Sequence, residues 1–200
     1  MRVIIPAAGK GTRLSTLPDA PPKAMYRIGG KPLLEIVLEQ TSFIRPEDTW
    51  IVVGYKQEEV RSYFGNSMHY AEQKEQLGTG HAVMMCAEDF RDYDGTVMVT
   101  FGDMPLFRGE CMKAMCAFHE SRHAACTLLT ARNPELTMWA RTIRDAQGRF
   151  TRIRDRAGLL RQFPPERRRF IRQEIKRVRA DRADIPFETW CQAALNAAAL

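Results

Sequence analysis

Read by apolar and polar spacing, the chain alternates between short buried strands and helices over its first 130 residues. Arg2–Pro6 reads as a buried strand, followed by a Gly-rich loop and a Pro-rich stretch, Leu17 to Lys23, that cannot be regular helix. Pro32 to Ser42 carries a helical stripe of Leu33, Leu34, Ile36, Val37 and Leu38. Trp50–Val53 is a second apolar strand ending at Gly54, and Gln57–Phe64 a short helix. Met68–Ala71 is a third strand, Thr79–Phe90 a helix, Thr96–Phe101 a fourth strand, Gly109–Arg122 a helix and Ala124–Thr130 a strand. Such alternation predicts an α/β fold, a Rossmann-like, mainly parallel sheet with helices on both faces.

Beyond residue 130 the pattern changes. Ala140–Arg144 and Arg149–Arg154 alternate loosely around Asp145-Ala-Gln-Gly148, which has turn composition and predicts a hairpin. Two polar helices are expected at Pro164–Ala180 and Pro186–Ala198. No repeat or low-complexity linker interrupts the chain, so a single domain over 1–200 is expected. Residues 1–130 would form its regular α/β part, and 131–200 a divergent C-terminal part.

Composition narrows the class. The 200 residues are 44% hydrophobic, enough for one domain with a full core. No apolar run approaches the roughly 20 residues of a membrane span, and the N-terminal stretch is too short for the apolar region of a signal peptide. The five cysteines form no C-x-x-C pair, so reduced thiols and a cytoplasmic location are expected. The net charge is +6, yet Arg152 to Arg182 holds twelve Arg or Lys against four acids, a balance of +8. A solvated helix face accounts for that segment first, ahead of a nucleic-acid or protein partner. The sequence is compatible with a homo-oligomer.

The candidate chemistry begins after the first strand. In Pro6-Ala7-Ala8-Gly9-Lys10-Gly11-Thr12-Arg13-Leu14 the two glycines permit close approach of backbone to ligand, and successive N–H groups make an anion-binding concavity. Lys10 and Arg13 add positive charge, and Arg13 can grip phosphate oxygens through its fork. The third glycine of a dinucleotide fingerprint is replaced by Leu14, and the Gly-Lys-Ser/Thr of a Walker A loop is missing. Pro21-Pro22 fix the chain before Lys23. Asp103 follows an apolar strand, at the carboxyl end where open α/β sheets bind ligands. One or two carboxylates with phosphate oxygens are how Mg²⁺ usually sits.

Those residues carry a resemblance. The segments Ala7–Leu14, Pro22-Lys23 and Gly30-Lys31-Pro32-Leu33 resemble the start of the sugar-nucleotide pyrophosphorylases, and Glu75-Gln76-Leu77-Gly78-Thr79-Gly80-His81-Ala82 and Phe101-Gly102-Asp103-Met104-Pro105-Leu106 are most similar to their N-acetylglucosamine-1-phosphate uridyltransferase branch. The resemblance covers roughly residues 1–155. It implies a glycosyltransferase-A-like nucleotidyltransferase fold that moves a nucleoside monophosphate, UMP from UTP, onto a sugar 1-phosphate with loss of pyrophosphate. It implies catalytic Arg13 and Lys23 neutralising phosphates, and Asp103 as catalytic residue and Mg²⁺ ligand. It also implies a nucleotide-binding part over 1–130 and a divergent sugar-binding, C-terminal part over 131–200, with substrate binding by Ala7, Ala8, Gly9, Lys10, Gly11, Thr12 and Gln76, base recognition by Gln73, Gly78 and Thr79, and further contacts from Gly102 and Ala140. A side-chain amide, with donor and acceptor, suits the edge of uracil.

The chain departs from that family toward its end. Met138-Trp139-Ala140-Arg141 stands where a Gly-Tyr-Gly-Arg segment is expected, Asp155 stands in for a glutamate, and only Asn196 answers to a second metal ligand. Two other readings compete. Pro22-Lys23-Ala24 and Val53-Gly54-Tyr55-Lys56 also resemble the branch using CTP and phosphocholine or a similar alcohol phosphate, and a non-catalytic nucleotide-binding regulator fits the missing C-terminal motifs. His119-Glu-Ser-Arg-His123 matches H-E-x-x-H, but the following strand leaves no early third ligand, so zinc is not expected there. Cys111, Cys116, His119 and His123 lack zinc-finger spacing. His81 either touches the nucleotide or simply begins a helix.

Overall fold

Residues 2–6 form β1 (Arg2–Pro6), the centre of the sheet. The computed structural model describes residues 1–130, except Thr12, Arg13, Ser15, Thr16 and Pro18, together with residues 141–154. The expected helices at 164–180 and 186–198, and the basic segment past Arg154, lie outside the described residues. The chain divides into two units, Met1–Thr127 and Leu128–Leu200.

In the first unit β1 leads, after the glycine loop, to a short ribbon, β2 (Arg27–Ile28) and β3 (Lys31–Pro32), then to α1 (Leu33–Gln40). There follow β4 (Thr49–Val53), α2 (Gln57–Phe64), β5 (His69–Glu72), α3 (Thr79–Met84), β6 (Val97–Val99) and α4 (Gly109–Ser121). The sheet order is β5-β4-β1-β6 and every pairing is parallel. In the second unit β7 (Arg141–Arg144) and β8 (Phe150–Arg154) form the expected hairpin, with a register shift at Ile143/Arg144.

Strand alternation fills a core on each side of the sheet, because successive side chains point to opposite faces. Val3, Ile5, Ile51 and Val53 pack with Leu34 and Val37 of α1, Val60 of α2 and Met112 and Cys116 of α4. Ile4, Trp50, Val52 and Ala71 pack on the other face with Ala82 and Cys86. Helices therefore cover both faces, as the alternation predicts. The four described cysteines, Cys86, Cys111, Cys116 and Cys126, are free thiols. Burial, with Asp89 nearby, pushes the Cys86 thiol up to about 11, which keeps it protonated.

The structure corrects several expectations. The helix expected to Phe90 stops at Met84, and i→i+3 bonds such as Cys86 N–H to Val83 O tighten the chain beyond it. That tightening sets Asp89 where Trp50 Nε1 donates to its carboxylate at 2.9 Å. Residues 124–130 form no strand. Most of their side chains are exposed and no described strand offers them a ladder. Gly29 and Gly30, at φ 59° and 85°, close a two-residue turn between β2 and β3, since both positions need the left-handed region. The periodicity reading passed over that ribbon.

Ile51, wholly buried between β1 and β5, tests the central packing. Ile51→Ala is expected to cost about 2–5 kcal/mol, read from urea denaturation.

Candidate active site

Parallel strands send all their carboxyl ends to one edge. The chain leaves neighbouring β1 and β6 there by separate routes, and in an open α/β sheet the crevice between such diverging strands is where ligands bind. Backbone bonds extend the ladder past the strand ends. Thr100 and Gly102 N–H donate to Ile4 O and Pro6 O at 3.2 and 3.1 Å, Ala7 N–H to Val52 O at 2.8 Å, and Gln73 N–H to Val53 O at 2.7 Å. Three loops are thereby aligned by sheet geometry.

They enclose a cavity of about 620 Å³. The loop after β1 contributes Ala7, Ala8, Gly9, Lys10 and Gly11. Lys23 enters from the Pro-rich stretch, held by its N–H to Gly9 O at 3.1 Å. The segment after β5 adds Gln73, Gln76, Gly78 and Thr79, and the turn after β6 adds Gly102 and Asp103. Every described candidate residue thus lines one cavity, although these positions span almost a hundred residues of chain. Thr12, Arg13 and Ala140 lie outside the described residues, as do Asp155 and Asn196.

Charge and hydrogen-bonding capacity are sorted within this cavity. Lys23 Nζ pairs with Asp103 Oδ2, and both side chains are about one-third exposed. Lys10 Nζ stands 5.3 Å from the centre of the Tyr55 ring, a cation–π distance. Gln73 is 5% exposed, and its Nε2 donates to Gly78 O at 3.1 Å and lies 3.0 Å from His81 Nδ1. Gln76 Nε2 donates to Ala8 O at 2.7 Å, tying the two loops together. The expectations for His81 missed its contact with the Gln73 amide. No periodicity signals a pair eight residues apart across a loop.

Glycines permit the convergence. A Cβ on Gly54 would stand 2.9 Å from both Ala8 Cβ and Gln73 O, so the loops after β1 and β5 close over a bare backbone. Gly11, at φ 72°, approaches Lys23, whose Cβ would lie 3.2 Å from an added methyl. The sequence marks Gly54 as a strand end and as part of Val53-Gly54-Tyr55-Lys56, and neither reading signals this close approach. His119 Nδ1 lies 3.0 Å from Thr127 Oγ1, Glu120 accepts from Thr96, and no group of three His, Cys, Asp or Glu able to hold a metal occurs among the described residues.

Residues 3–176 match the MobA-like NTP transferase domain. The chain belongs to that family. Within it, the chain is 39% identical over 150 residues to the Bifunctional protein GlmU of Streptococcus equi subsp. zooepidemicus, across 75% of this chain and 32% of that protein. It is 41% identical over 145 residues to the Bifunctional protein GlmU of Levilactobacillus brevis, across 72% of this chain and 31% of that one. The chain thus spans about a third of the length of these relatives. A crystal structure of UDP-glucose pyrophosphorylase complexed with UDP-glucose superposes with TM-score 0.50 at 22% identity, over 61% of this chain and 54% of that one. Mannose-1-phosphate geranyltransferase from Thermus thermophilus gives 0.51 at 24%, over 60% and 38%. These two likenesses establish the shared α/β fold of this NTP transferase domain.

Gly54→Ala is expected to destabilise the domain by about 1–3 kcal/mol through overpacking against two loops. Gly9→Ala, with nothing within 4 Å of the added carbon, should stay within about 0.5 kcal/mol of the parent. Paired urea melts check the difference.

Proposed function

We propose that this domain transfers a nucleoside monophosphate, UMP from UTP, to a sugar 1-phosphate, forming a nucleoside diphosphate sugar and pyrophosphate. The observation that carries the reading is the single cavity in which a glycine loop, two lysines, a carboxylate and a buried amide surround one space. Membership of an NTP transferase family supports the same chemistry.

An oxygen of the sugar phosphate attacks the α-phosphorus, a new P–O bond forms, and the bond to the bridging oxygen breaks. The bridging oxygen leaves on pyrophosphate with the electron pair. Little covalent work falls to the protein, so positioning and charge neutralisation carry the rate. The backbone N–H groups of Ala8 to Gly11 receive phosphate oxygens, and Lys10 and Lys23 offset their charge. Arg13 joins them in this reading. Gln73, with Gly78 and Thr79, holds the base, and Gln76 braces the base loop against the phosphate loop.

The donor set fits Mg²⁺ in one mode. Asp103 supplies a hard carboxylate oxygen at the cavity wall, and no all-protein cage is present among the described residues. Small hard cations held by one or two carboxylates complete their shell with phosphate oxygens and water. Bound there, the ion would neutralise phosphate charge. Free thiols at the four described cysteines accord with a cytoplasmic setting, and no helix among the described residues is long and apolar enough to cross a membrane.

Pyrophosphate release, measured with each NTP against a set of sugar 1-phosphates, with and without Mg²⁺, tests the reaction. UTP with a sugar 1-phosphate and Mg²⁺ should give the signal; CTP with phosphocholine giving it instead would assign the other branch. Asp103→Asn should lower turnover by roughly 10²-fold or more while leaving the melting temperature nearly unchanged. The Lys23–Asp103 pair is partly exposed, and such pairs contribute little to folding. Normal turnover in that variant would remove Asp103 from the mechanism.

A further inference from the structure

Lys56 holds a backbone conformation that lysine rarely takes. At φ 47° and ψ 44° it lies in the left-handed region, which glycine and asparagine enter far more readily. It stands just before α2, where a short polar side chain would cap the helix, yet Lys56 makes no capping bond. Its Nζ reaches instead to the Pro-rich stretch and donates to Asp19 O at 2.9 Å. A second partner, Glu59, lies 3.5 Å away on the first turn of α2, a partly exposed i,i+3 pairing of a kind that contributes little. Only 29% of the Lys56 side chain is exposed, so it is laid down on the protein rather than free in solvent. Backbone strain at a residue whose side chain acts on another segment points to function rather than to the local turn.

Asp19-Ala20-Pro21-Pro22 leads directly into Lys23. The two prolines stiffen the path between them, and Pro22 is wholly buried. The corner at Tyr55-Lys56 grips this stretch twice, since Tyr55 OH also donates to Ala20 O at 3.4 Å. It holds the loop after β1 as well: Tyr55 N–H donates to Ala8 O at 3.4 Å, and Lys10 Nζ stands over the Tyr55 ring. At the inner end of the stretch, Lys23 N–H bonds Gly9 O at 3.1 Å. One corner thus joins the two segments that carry Lys10 and Lys23. We infer that Lys56 is a positioning residue for Lys23: by tying Asp19 O to this corner, it holds the outer end of the stretch, so that the Lys23 ammonium meets phosphate oxygens from a set direction. The inference rests on the nucleotidyl-transfer reading and deepens it. Lys56 is not among the described residues that line the cavity, so it acts through the stretch rather than on the ligand. A stretch held only near Lys23 can swing about that end, and a shift of about 1 Å at a charge-neutralising group is enough to weaken its grip.

Equilibrium binding to the full chain of UTP or CTP, whichever the parent binds more tightly, measures the effect, with a thermal melt of each variant beside it. Lys56→Asn suits the left-handed corner and is too short to reach Asp19 O. It should weaken the nucleotide by about tenfold while the melting temperature stays level or rises. Lys56→Arg keeps the reach and the charge and should recover most of the affinity. Lys23→Ala alone should also weaken binding. In that background Lys56→Asn should change affinity by no more than about twofold, because its effect travels through Lys23. A residue needed only for folding would lower the melting temperature and would act equally in both backgrounds. If Asn is not accommodated, judged by the melting temperature, Lys56→Gly makes the same comparison. Unchanged affinity in folded Lys56→Asn or Lys56→Gly, or equal losses with and without Lys23, overturns the inference alone. A parent that binds neither nucleotide, or a Lys23→Ala variant that binds as the parent does, overturns the phosphate role of Lys23 in the transfer reading and the inference with it.

Discussion

Strand β1 is hydrogen-bonded on both edges, to β4 through Val3–Pro6 and to β6 through Arg2–Ile4, and both partners run parallel to it. Parallel pairing leaves no freedom about where the loops emerge. Each strand must be followed by a crossover, and each carboxyl end reaches the same edge. The glycine loop, the Gln73 segment and the Asp103 turn are neighbours because their strands are. Wholly buried side chains such as Ile5, Ile51 and Val53 hold that register, since a slip by one residue would turn them to the opposite face.

Given that edge, the remaining problem is proximity. Backbones from three loops must come within contact distance without side chains separating them, and bare positions do this where the crowding is worst. Gly54 lets Ala8 and the Gln73 carbonyl meet, and Gln76 reaches back to Ala8 O at 2.7 Å. The loop after β5 and the loop after β1 are one braced unit. A disturbance at either should be felt at the other.

What could be read from the sequence divides along the same line. Strands β1 and β4 are visible because a parallel strand covered on both faces is an unbroken apolar run, and the end of Gln57–Phe64 is visible because Gly65 follows it as the cap. The site loops are visible as residue types in order: glycines, lysines, an amide, an acid. Less legible was whatever depends on a distant partner. Cys86 and Phe90 keep helical spacing, yet the helix ends at Met84 and the tightened chain beyond it brings Asp89 to Trp50, far away in the sequence. Ala124–Thr130 has strand composition without a described strand to pair with. The amide of Gln73 could be named from its residue type, but its contacts with Gly78 O and His81 Nδ1 are ones that only the fold brings to it.

The pairing of Lys23 with Asp103 shows how such a cavity can be charged without being strained. Two unlike charges at a partly exposed wall satisfy each other, so neither stands desolvated and alone. An anionic phosphate chain accompanied by a cation offers each of them a replacement partner of the right sign: phosphate oxygens for the ammonium, the cation for the carboxylate. The exchange conserves the number of ionic contacts, and its electrostatic cost is correspondingly small. A nucleotide without a cation supplies only half of that exchange and would leave Asp103 facing phosphate oxygens of like charge. In the proposed reading the wall would be complementary to a metal-bound nucleotide as a pair, with Asp103 the carboxylate among the described residues that line the cavity.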